Sequence, residues 1–390
     1  MSTTTSRAAA DASVLSALAA SRAPVFAFAA VGLTWGCFAA MAPVLKARVG
    51  VNDADWGLLL LATALGLSTT LFLAQRVDRW LGAWAMPTGT LALAAAAAFG
   101  PGQAGSAVAV FAALTVLGAT SGVTDVVMNA RVSEIETRTA RSLMNVNHAM
   151  FSVAYAVSAL LTGAMREAAW SPEAIFATVA VLVAATAPFQ MMRVDAPPED
   201  DGADASRLPF ALVATCGLVV MIAFMAEATV ESWSALHIER TLGGGAAEGA
   251  FGPAMLGLTM AAGRFSGQAV AARMTETAVI AWATGLAVAG VLVAAAAPTP
   301  TVAYLGFGLM GLGISVIGPM GLALAGRLAP AAVRTGVIAR VAVIGFLGFF
   351  LAPALMGLGA EAFGLRWAFA GVAAVLAVEW ALIRRARRRD

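Results

Sequence analysis

The chain has 390 residues, of which 60% are hydrophobic and 12% are charged, and its formal net charge at pH 7 is +2. Soluble domains carry about a quarter of their residues as charged side chains, so this composition excludes a large water-soluble domain. The nearly balanced charge and the lack of a basic, aromatic-rich surface argue against nucleic-acid binding. We therefore expect an integral membrane protein.

Twelve apolar stretches follow one another along the chain, with short polar connections between them. A bilayer core of about 30 Å requires roughly 20 apolar residues in a helix, because every backbone polar group must be satisfied without water. We predict an all-α membrane protein with twelve transmembrane helices. The predicted spans are Pro24–Leu45, Trp56–Ala74, Ala83–Phe99, Gly105–Ala130, Leu143–Met165, Ala174–Met192, Leu208–Val230, Ala250–Ala271, Thr277–Ala297, Val302–Ala325, Thr335–Leu358 and Arg366–Ile383.

The basic residues lie mainly on one side of these spans. With both termini placed in the cytoplasm, 17 of the 24 Lys and Arg residues fall in cytoplasmic segments, five fall in outer loops, and Arg264 and Arg340 lie within spans. Because cytoplasmic loops are enriched in Lys and Arg, this partition predicts cytoplasmic termini. Glu379 lies one turn before the arginine-rich tail, and we expect it to pair with those arginines at the membrane interface.

The chain divides into two halves of six spans each. We predict an N-terminal six-helix bundle over residues 1–192, a cytoplasmic linker over 193–207 and a C-terminal six-helix bundle over 208–390. The linker is acidic and contains two prolines, which disfavours an ordered helix. A shift of 193 residues places Gly118 on Gly311, one of several short matches between the halves. Parallel repeats with a binding site between them are typical of secondary transporters.

Several catalytic and metal-binding patterns can be excluded. Lys46 is the only lysine and follows Leu45, so no G-x-x-x-x-G-K-[ST] phosphate loop exists and ATP is not the expected energy source. Gly306–Gly311 matches G-x-G-x-x-G but lies in an apolar span, where glycines favour close helix packing. The two cysteines lie in separate spans, and the two histidines lack metal-ligand spacing. We expect no enzyme activity, cofactor, disulfide or metal site.

Polar residues form stripes along the fourth and fifth spans. Asp125 and Asn129 lie four residues apart on one face of the fourth span, and the fifth span carries a stripe with steps of three and four residues. The fifth-span stripe consists of Asn145, His148, Ser152 and Tyr155. A charged side chain at the centre of a spanning helix costs about 2.5 to 3.5 kcal/mol, so such residues usually have a function. If the two helices are neighbours, the stripes face each other across a cavity; the alternative is a static hydrogen-bonded pair that holds the helices together.

These two spans carry a pattern that resembles the fucose-permease-like branch of the major facilitator superfamily, which includes the rhizopine and inositol-derivative transporters. The pattern is an acid followed four residues later by asparagine, a short charged loop, and an Asn-x-x-polar segment with Phe-Ser soon after. It reads here as Asp125 to Asn129, Glu134 to Arg141, Asn145, His148, Phe151 and Ser152. Asp55-Trp56-Gly57, Gly263 to Gly267 and Gly364 to Arg366 extend the similarity, and Asp78-Arg79 is what remains of the superfamily's loop motif.

The resemblance implies a major facilitator fold in a bacterial cytoplasmic (inner) membrane, a monomer, and proton symport of a small-molecule solute through the lipid bilayer. It places Asp125 at the position of the proton-coupling acid and His148 at that of a residue lining the cavity. The proton-coupling candidates are Asp125, His148, Glu227 and Glu231. The cavity candidates are Trp35, Asn129, Asn145, His148, Ser152, Tyr155 and Ser315. The gating candidates are Asp78, Arg79, Arg264 and Arg340.

The other embedded charges allow several interpretations. Arg264 and Arg340 lie in the cytoplasmic thirds of the eighth and eleventh spans, where they can face the solute, pair with Asp125 or extend to lipid head groups. Glu227 and Glu231 lie four residues apart near the outer end of the seventh span. They fit a second proton site, an outer gate or a solvated helix end.

Three functions are consistent with these features. The first is secondary active transport of a small polar solute, such as a sugar, polyol or cyclitol-like compound, driven by protons through Asp125. The second is export of lipophilic compounds or drugs, which is favoured by the scarcity of cavity amides and by residues such as Phe346, Phe349 and Met225. The third is a membrane sensor or scaffold, for which the sequence offers no soluble effector module.

Overall fold

The computed structural model describes residues 14–192, 209–271, 273–330 and 333–387, and these residues are almost entirely helical. The predicted linker, 193–207, lies outside the described residues. The α-helices are α1 Val14–Ala20, α2 Arg22–Val49, α3 Asp53–Ser68, α4 Thr70–Leu81, α5 Ala85–Phe99, α6 Ala107–Thr139, α7 Met144–Glu167, α8 Pro172–Thr186, α9 Phe210–Leu236, α10 Ala246–Ala271, α11 Glu276–Ala296, α12 Pro300–Leu328, α13 Arg334–Phe363 and α14 Leu365–Arg387. A π-helical turn, His237–Thr241, continues α9.

Ten helical segments in the described part of the chain are long and apolar enough to cross a membrane. They correspond to ten of the twelve predicted spans, and the other two predicted spans coincide with α3 and α10. The predicted second span, Trp56–Ala74, is divided in the structure, since α3 ends at Ser68 and α4 begins at Thr70.

The interruption between α3 and α4 has a local cause. The hydroxyls of Ser68, Thr69 and Thr70 each donate to the carbonyl three residues earlier, at 2.6 to 2.7 Å. Side-chain hydroxyls that bond the nearby backbone compete with the regular helical ladder. The second span is therefore shorter than its apolar stretch, and α4 continues as a separate helix.

The helices form two bundles of six spans, α2–α8 and α9–α14. In the first bundle α2 packs along α7, and α3 packs along α6. In the second bundle α9 packs along α13, and α11 packs along α12 and α14. The halves meet mainly where α7 lies against α10 and where α3 lies against α13. This arrangement matches the predicted fold class.

Glycine permits the close approach of α3 and α13. A Cβ atom added to Gly57 would lie 2.5 Å from the carbonyl oxygen of Pro353, and one added to Gly357 would lie 2.5 Å from that of Asp53. Small residues at membrane helix interfaces allow backbones to approach in this way. The two halves are therefore in backbone contact near the start of α3. We refer to this end, where α2 ends and α3 begins, as the far end, and to the opposite end as the termini end.

Candidate functional site

The Arg264 side chain, on α10, contacts α9 in its own half and α7 in the other half. Its Nη2 atom donates to Glu227 Oε1 on α9 at 3.2 Å. Its Nη1 atom donates to Ser152 Oγ at 2.5 Å and to the His148 carbonyl oxygen at 3.2 Å, both on α7. The guanidinium therefore joins α10 to its own half through an ion pair and to the other half through hydrogen bonds.

This ion pair is almost entirely shielded, since the Arg264 and Glu227 side chains are 12% and 8% exposed. Removing two charges from water costs several kcal/mol per ion, and the pair recovers that cost only when its geometry and remaining hydrogen bonds are good. Arg264 meets this condition because its two terminal nitrogens both have acceptors. The arrangement excludes the interpretation of Glu227 as a solvated helix end.

Glu231 lies one turn beyond Glu227 on α9, so the two carboxylates share a helix face. Glu231 interacts electrostatically with Glu227 and Arg264. It is half-buried, and it has no hydrogen-bond or ion-pair partner within the described ranges 14–192, 209–271, 273–330 and 333–387. The cluster of Glu227, Glu231 and Arg264 thus holds two carboxylates and one guanidinium.

Tyr155 completes the cluster from the first half. Its side chain is 2% exposed, and its hydroxyl has no hydrogen-bond partner among the described residues. The hydroxyl interacts electrostatically with Glu231 and Glu227. Buried polar groups are normally paired, so this unpaired hydroxyl, together with the unpaired Glu231 carboxylate, marks the cluster as a candidate ligand site.

Close helix packing positions the α7 residues. Cβ atoms added to Gly32 and Gly36 on α2 would lie 2.3 and 2.1 Å from the carbonyl oxygens of Phe151 and Tyr155. On the opposite side of α7, a Cβ atom at Gly257 of α10 would lie 2.9 Å from Tyr155 Cδ1. Glycine on both flanking helices therefore lets α7 lie between them, with Tyr155 facing the second half.

Ser315 supports the cluster from α12 without joining its polar contacts. Its Oγ atom donates to the Leu312 carbonyl oxygen at 2.7 Å, within its own helix. A Cβ atom added to Gly263 would lie 2.0 Å from that same Oγ. Ser315 therefore packs directly against Gly263, the residue that precedes Arg264 on α10.

Asp125 lies on α6, outside this cluster. The Asn129 side-chain amide donates to its backbone carbonyl at 2.8 Å and to its Oδ1 at 3.2 Å. Asp125 forms no ion pair with any of the residues that the structure describes, so Arg264 pairs with Glu227 instead. Trp35 Nε1 on α2 donates to Ser121 Oγ on α6 at 2.9 Å, which fixes α2 beside the Asp125 helix.

The fourth and fifth spans, α6 and α7, are not packed directly against each other over most of their length. Helix α2 packs along α7 and also contacts α6, whereas α6 and α7 touch only slightly. The His148 ring meets Phe28 of α2 edge-on, with ring centroids 4.8 Å apart. The Asp125 and His148 stripes therefore lie on helices that make little direct contact with each other, and α2 contacts both helices. Asn145 is half-buried near the start of α7.

The remaining gating candidates have local contacts. Asp78 on α4 forms an ion pair with Arg131 on α6, inside the first half. Arg79 is exposed. Arg340 is also exposed, and its Nη1 atom donates to the Gly336 carbonyl oxygen of its own helix at 3.3 Å. These side chains do not join the Arg264 cluster in the part of the chain that the structure describes.

A network of charges joins the two halves at the far end. Arg240 donates to both carboxylate oxygens of Asp53, at 2.5 and 3.1 Å, and Lys46 Nζ lies 3.0 Å from Asp53 Oδ1. The Asp53 backbone N–H also donates to Glu361 Oε2 at 2.9 Å. Burial by itself would raise the pKa of Asp53, but the bonds from Arg240 and Lys46 outweigh burial and hold that pKa below its usual value of 3.8.

A second ion pair lies at the same end. Arg166 on α7 donates through Nη1 and Nη2 to the two carboxylate oxygens of Glu239, at 2.7 and 2.9 Å, and Nη1 also donates to the Ala40 carbonyl oxygen. The backbone N–H of Ala247 donates to Glu167 Oε2 at 3.3 Å. Among the described residues, the polar contacts between the halves are these far-end contacts and those of Arg264, and none lies at the termini end.

The far-end network has only a weak signal in the sequence. Lys46, Arg166 and Arg240 lie in predicted outer loops, and their acidic partners are ordinary loop-end residues. The available signal is that opposite charges occur at the ends of spans in both halves.

The expectation that Glu379 pairs with the arginine-rich tail is wrong. Glu379 is fully buried on the face of α14 that packs on α11, with its Oε2 atom 2.5 Å from Thr284 Oγ1.

Two six-span bundles with a charged cluster between them are an arrangement typical of secondary transporters. A sequence model of the Major Facilitator Superfamily matches residues 25–277, and the chain belongs to this superfamily. It is therefore a transporter and not an enzyme.

The chain is similar to membrane proteins of two bacteria. An uncharacterized MFS-type transporter of Yersinia pestis is 28% identical over 90% of this chain and 91% of its own length. The membrane protein MosC of Rhizobium meliloti is 25% identical over 90% of this chain and 86% of its own length.

Solved structures show the same fold at low sequence identity. A bacterial homologue of the human lysosomal transporter Spinster, in an inward-facing and occupied conformation, aligns with a TM-score of 0.76 at 14% identity, over 95% of this chain and 96% of that one. The nucleoside transporter NupG aligns with a TM-score of 0.70 at 12% identity, over 95% of this chain and 99% of that one.

Proposed function

We propose that the protein is a secondary active transporter that moves a small polar solute, such as a sugar, polyol or cyclitol-like compound, across a bacterial cytoplasmic membrane. Transport is coupled to protons and proceeds by alternating access. The observation that carries this proposal is the Arg264 side chain, which pairs with Glu227 in one half and binds α7 in the other. A charge pair at the interface between the halves can couple protonation to their relative movement.

The proposed mechanism begins with protonation of Glu227. A neutral carboxyl no longer attracts the guanidinium, so Arg264 is released from α9 while its donors to Ser152 and the His148 carbonyl remain available. The halves can then separate at a different depth in the membrane. This movement opens the solute site to the opposite side of the membrane. Asp125, whose side chain accepts only from Asn129 in the described structure, serves as a second site for proton uptake in the first half.

The proposed orientation follows from the basic residues. With 17 of 24 in cytoplasmic segments, the termini end faces the cytoplasm and the far end faces outward. The far-end pairs Arg240–Asp53 and Arg166–Glu239 then close the outer side. Labelling single cysteines with a membrane-impermeant reagent in intact cells tests this, because a far-end cysteine at Gly243 must react and a cysteine at Thr139 must not.

The narrower assignment rests on sequence resemblance. The Asp125-x-x-x-Asn129 pattern and the polar stripe of α7 resemble the fucose-permease-like branch, which supports a polyhydroxylated solute. The relatives support transport in general, since the Yersinia relative is described only as an MFS-type transporter. The boundaries at 192 and 208, with the linker between them, remain part of this proposal.

The test uses purified protein in liposomes with candidate radiolabelled polyols. Wild type should accumulate solute when a pH gradient is imposed, and added ATP should have no effect. Glu227→Gln should retain solute exchange but lose accumulation. Glu379→Gln is the matched control, because Glu379 is an equally buried acid on α14 that lies outside the Arg264 cluster. Accumulation that needs nucleotide, or that survives Glu227→Gln unchanged, would contradict the proposal.

Export of lipophilic compounds is the second candidate function. It is favoured by an aromatic group in the second half, in which the Phe224 ring lies 5.0 Å from Phe349 and 5.7 Å from Phe346, and Phe346 is 42% exposed. Replacing Phe346 and Phe349 with alanine distinguishes the candidates. The change should weaken binding of amphiphilic dyes if the protein is an exporter, and leave polyol exchange intact if it is a polar-solute carrier.

A further inference from the structure

We propose that the solute carries a protonated amine, and that this ammonium group binds between the Glu231 carboxylate and the Tyr155 hydroxyl. The inference rests on the proposed function, because it names the chemical class of solute for the same central cluster. It is carried by the charge inventory of the cluster and by two polar side chains that the protein itself leaves unpaired.

The cluster has more negative than positive charge. Glu227 and Glu231 contribute two carboxylates, and Arg264 contributes one guanidinium. His148 contacts Arg264 through its backbone carbonyl rather than its ring. Because the charges of Glu227 and Arg264 compensate each other, the Glu231 carboxylate is the uncompensated charge of the cluster.

The Arg264 guanidinium is not available to bind an anionic solute. Both of its terminal nitrogens already donate, to Glu227, to Ser152 and to the His148 carbonyl. An anion would have to displace these acceptors and would also approach Glu231. The electrostatics of the cluster therefore favour a cation over an anion.

Glu231 has the features of a free acceptor. It lies one turn from Glu227 on the same face of α9, is half-buried, and has no polar partner in the described part of the chain. An ionised carboxylate at membrane depth needs a counter-charge. That counter-charge is either a proton on Glu231 itself or a cation brought by the ligand.

Tyr155 provides the second, independent observation. Its hydroxyl is buried, unpaired among the described residues, and within electrostatic range of Glu231. An ammonium group has three donors and no acceptor. It can donate to the Glu231 carboxylate and to the Tyr155 oxygen together, whereas a neutral hydroxyl has one hydrogen and supplies no charge to Glu231.

The two residues belong to different halves of the transporter. Tyr155 lies on α7 in the first half, and Glu231 lies on α9 in the second half. A ligand held between them would contact both halves at once. The site therefore lies where an alternating-access transporter needs to bind its solute, and the amine would determine specificity.

The experiment compares matched pairs of compounds that differ only in an amine or a hydroxyl at one carbon, such as glucosamine with glucose and a series of amino alcohols with the corresponding diols. Binding to the purified full-length protein is measured by thermal shift and by isothermal titration at pH 7. Wild type should bind the amine member of at least one pair tenfold or more tightly than its hydroxyl counterpart.

The variants assign that preference to the two residues. Glu231→Gln should abolish the preference for the amine, Glu231→Asp should retain part of it, and Tyr155→Phe should reduce it a few-fold. Glu379→Gln should keep it unchanged. If Glu231→Gln does not fold, Glu231→Asp and Tyr155→Phe still report on the site, since each keeps most of the side-chain volume.

Specific results would overturn the inference. Wild type that prefers no amine in any pair, or a preference that persists in Glu231→Gln, would mean that Glu231 carries only a proton. Accumulation of neutral polyols with no amine preference would leave the proposed function intact and reject the inference alone. Amine binding without gradient-driven transport of any compound would instead reject the proposed function.

Discussion

Arg240, in the π-helical turn that continues α9, binds both carboxylate oxygens of Asp53, at the start of α3, and thereby joins this turn of the second half to the first turn of a helix in the first half. Asp53 is buried, whereas the Arg240 side chain is 46% exposed. Exposed pairs contribute about 0 to 1 kcal/mol because solvent screens them. The contact can therefore stabilise closure of the far end without preventing its opening.

Acid should weaken this closure. The pKa of Asp53 is held below 3.8 by Arg240 and Lys46, so closure gains stability from the ionised carboxylate above that value and loses it as the pH falls through the lowered pKa. We expect far-end opening to increase below about pH 4, and Asp53→Asn to open it at neutral pH by a shift of about 1 kcal/mol. Double electron–electron resonance between spin labels on α3 and α13 measures the opening. A distance distribution identical in wild type and Asp53→Asn would contradict the expectation.

Arg166 and Glu239 form the better-shielded far-end pair, with side chains 7% and 17% exposed. Arg166→Ala and Glu239→Ala should each favour the open far end, and their effects should not add. A double-mutant cycle on the same distance measurement should give a coupling energy of about 0.5 to 3 kcal/mol, the range for residues in one network. Strict additivity would show that the ion pair does not control closure.

Arg264→Lys tests whether charge alone is sufficient at the central cluster. Lysine keeps the positive charge but lacks the planar fork that reaches both Glu227 and Ser152. Solute exchange in liposomes should fall about tenfold or more, which corresponds to about 1.4 kcal/mol. Arg340→Lys is the control, because Arg340 is exposed and contacts its own helix. Equal losses in the two variants would show that the cluster geometry is unimportant.

Asp125→Asn should separate binding from coupling in the first half. Asparagine keeps the shape and the contact with Asn129 but cannot gain or lose a proton, so exchange should persist while pH-driven accumulation is lost. His148→Gln should alter affinity more than coupling, because the backbone of His148 rather than its ring meets Arg264. Uptake assays with and without a pH gradient in the same vesicles distinguish these effects. Normal accumulation by Asp125→Asn would make this residue structural.

Two glycines should give different phenotypes although both are tightly packed. Gly57 faces Pro353 across the two halves, and its replacement by leucine should hold the far end open with little loss of thermal stability. Gly36 faces Tyr155 within one half, and its replacement by leucine should lower the melting temperature of the protein. Gly105→Ala is the control, because no neighbouring atom lies within 4 Å of an added Cβ. Melting curves and far-end distances that change alike in both variants would contradict this assignment.

Part of the candidate site could be predicted from the sequence because the cost of burying a charge is local. Glu227, Arg264 and Asp125 stand out as ionisable residues in apolar spans, and any such residue needs a partner or a function. The i, i+4 spacing of Glu227 and Glu231 also placed both on one helix face. The sequence could not assign partners, since the solute, Asp125 and lipid head groups were all compatible with Arg264.

The sequence by itself determined the spans and the all-helical fold, because the thickness of the bilayer and the need to satisfy every backbone polar group constrain each segment independently of the others. The tertiary structure decided which helices are neighbours. Helix α2 contacts both α6 and α7, which touch each other only slightly, and α10 lies against α7, which brings Arg264 to Ser152. Helix order in space depends on packing between segments remote in sequence, where glycine contacts and ion pairs act over a few ångströms, and hydropathy along the chain contains no information at that scale.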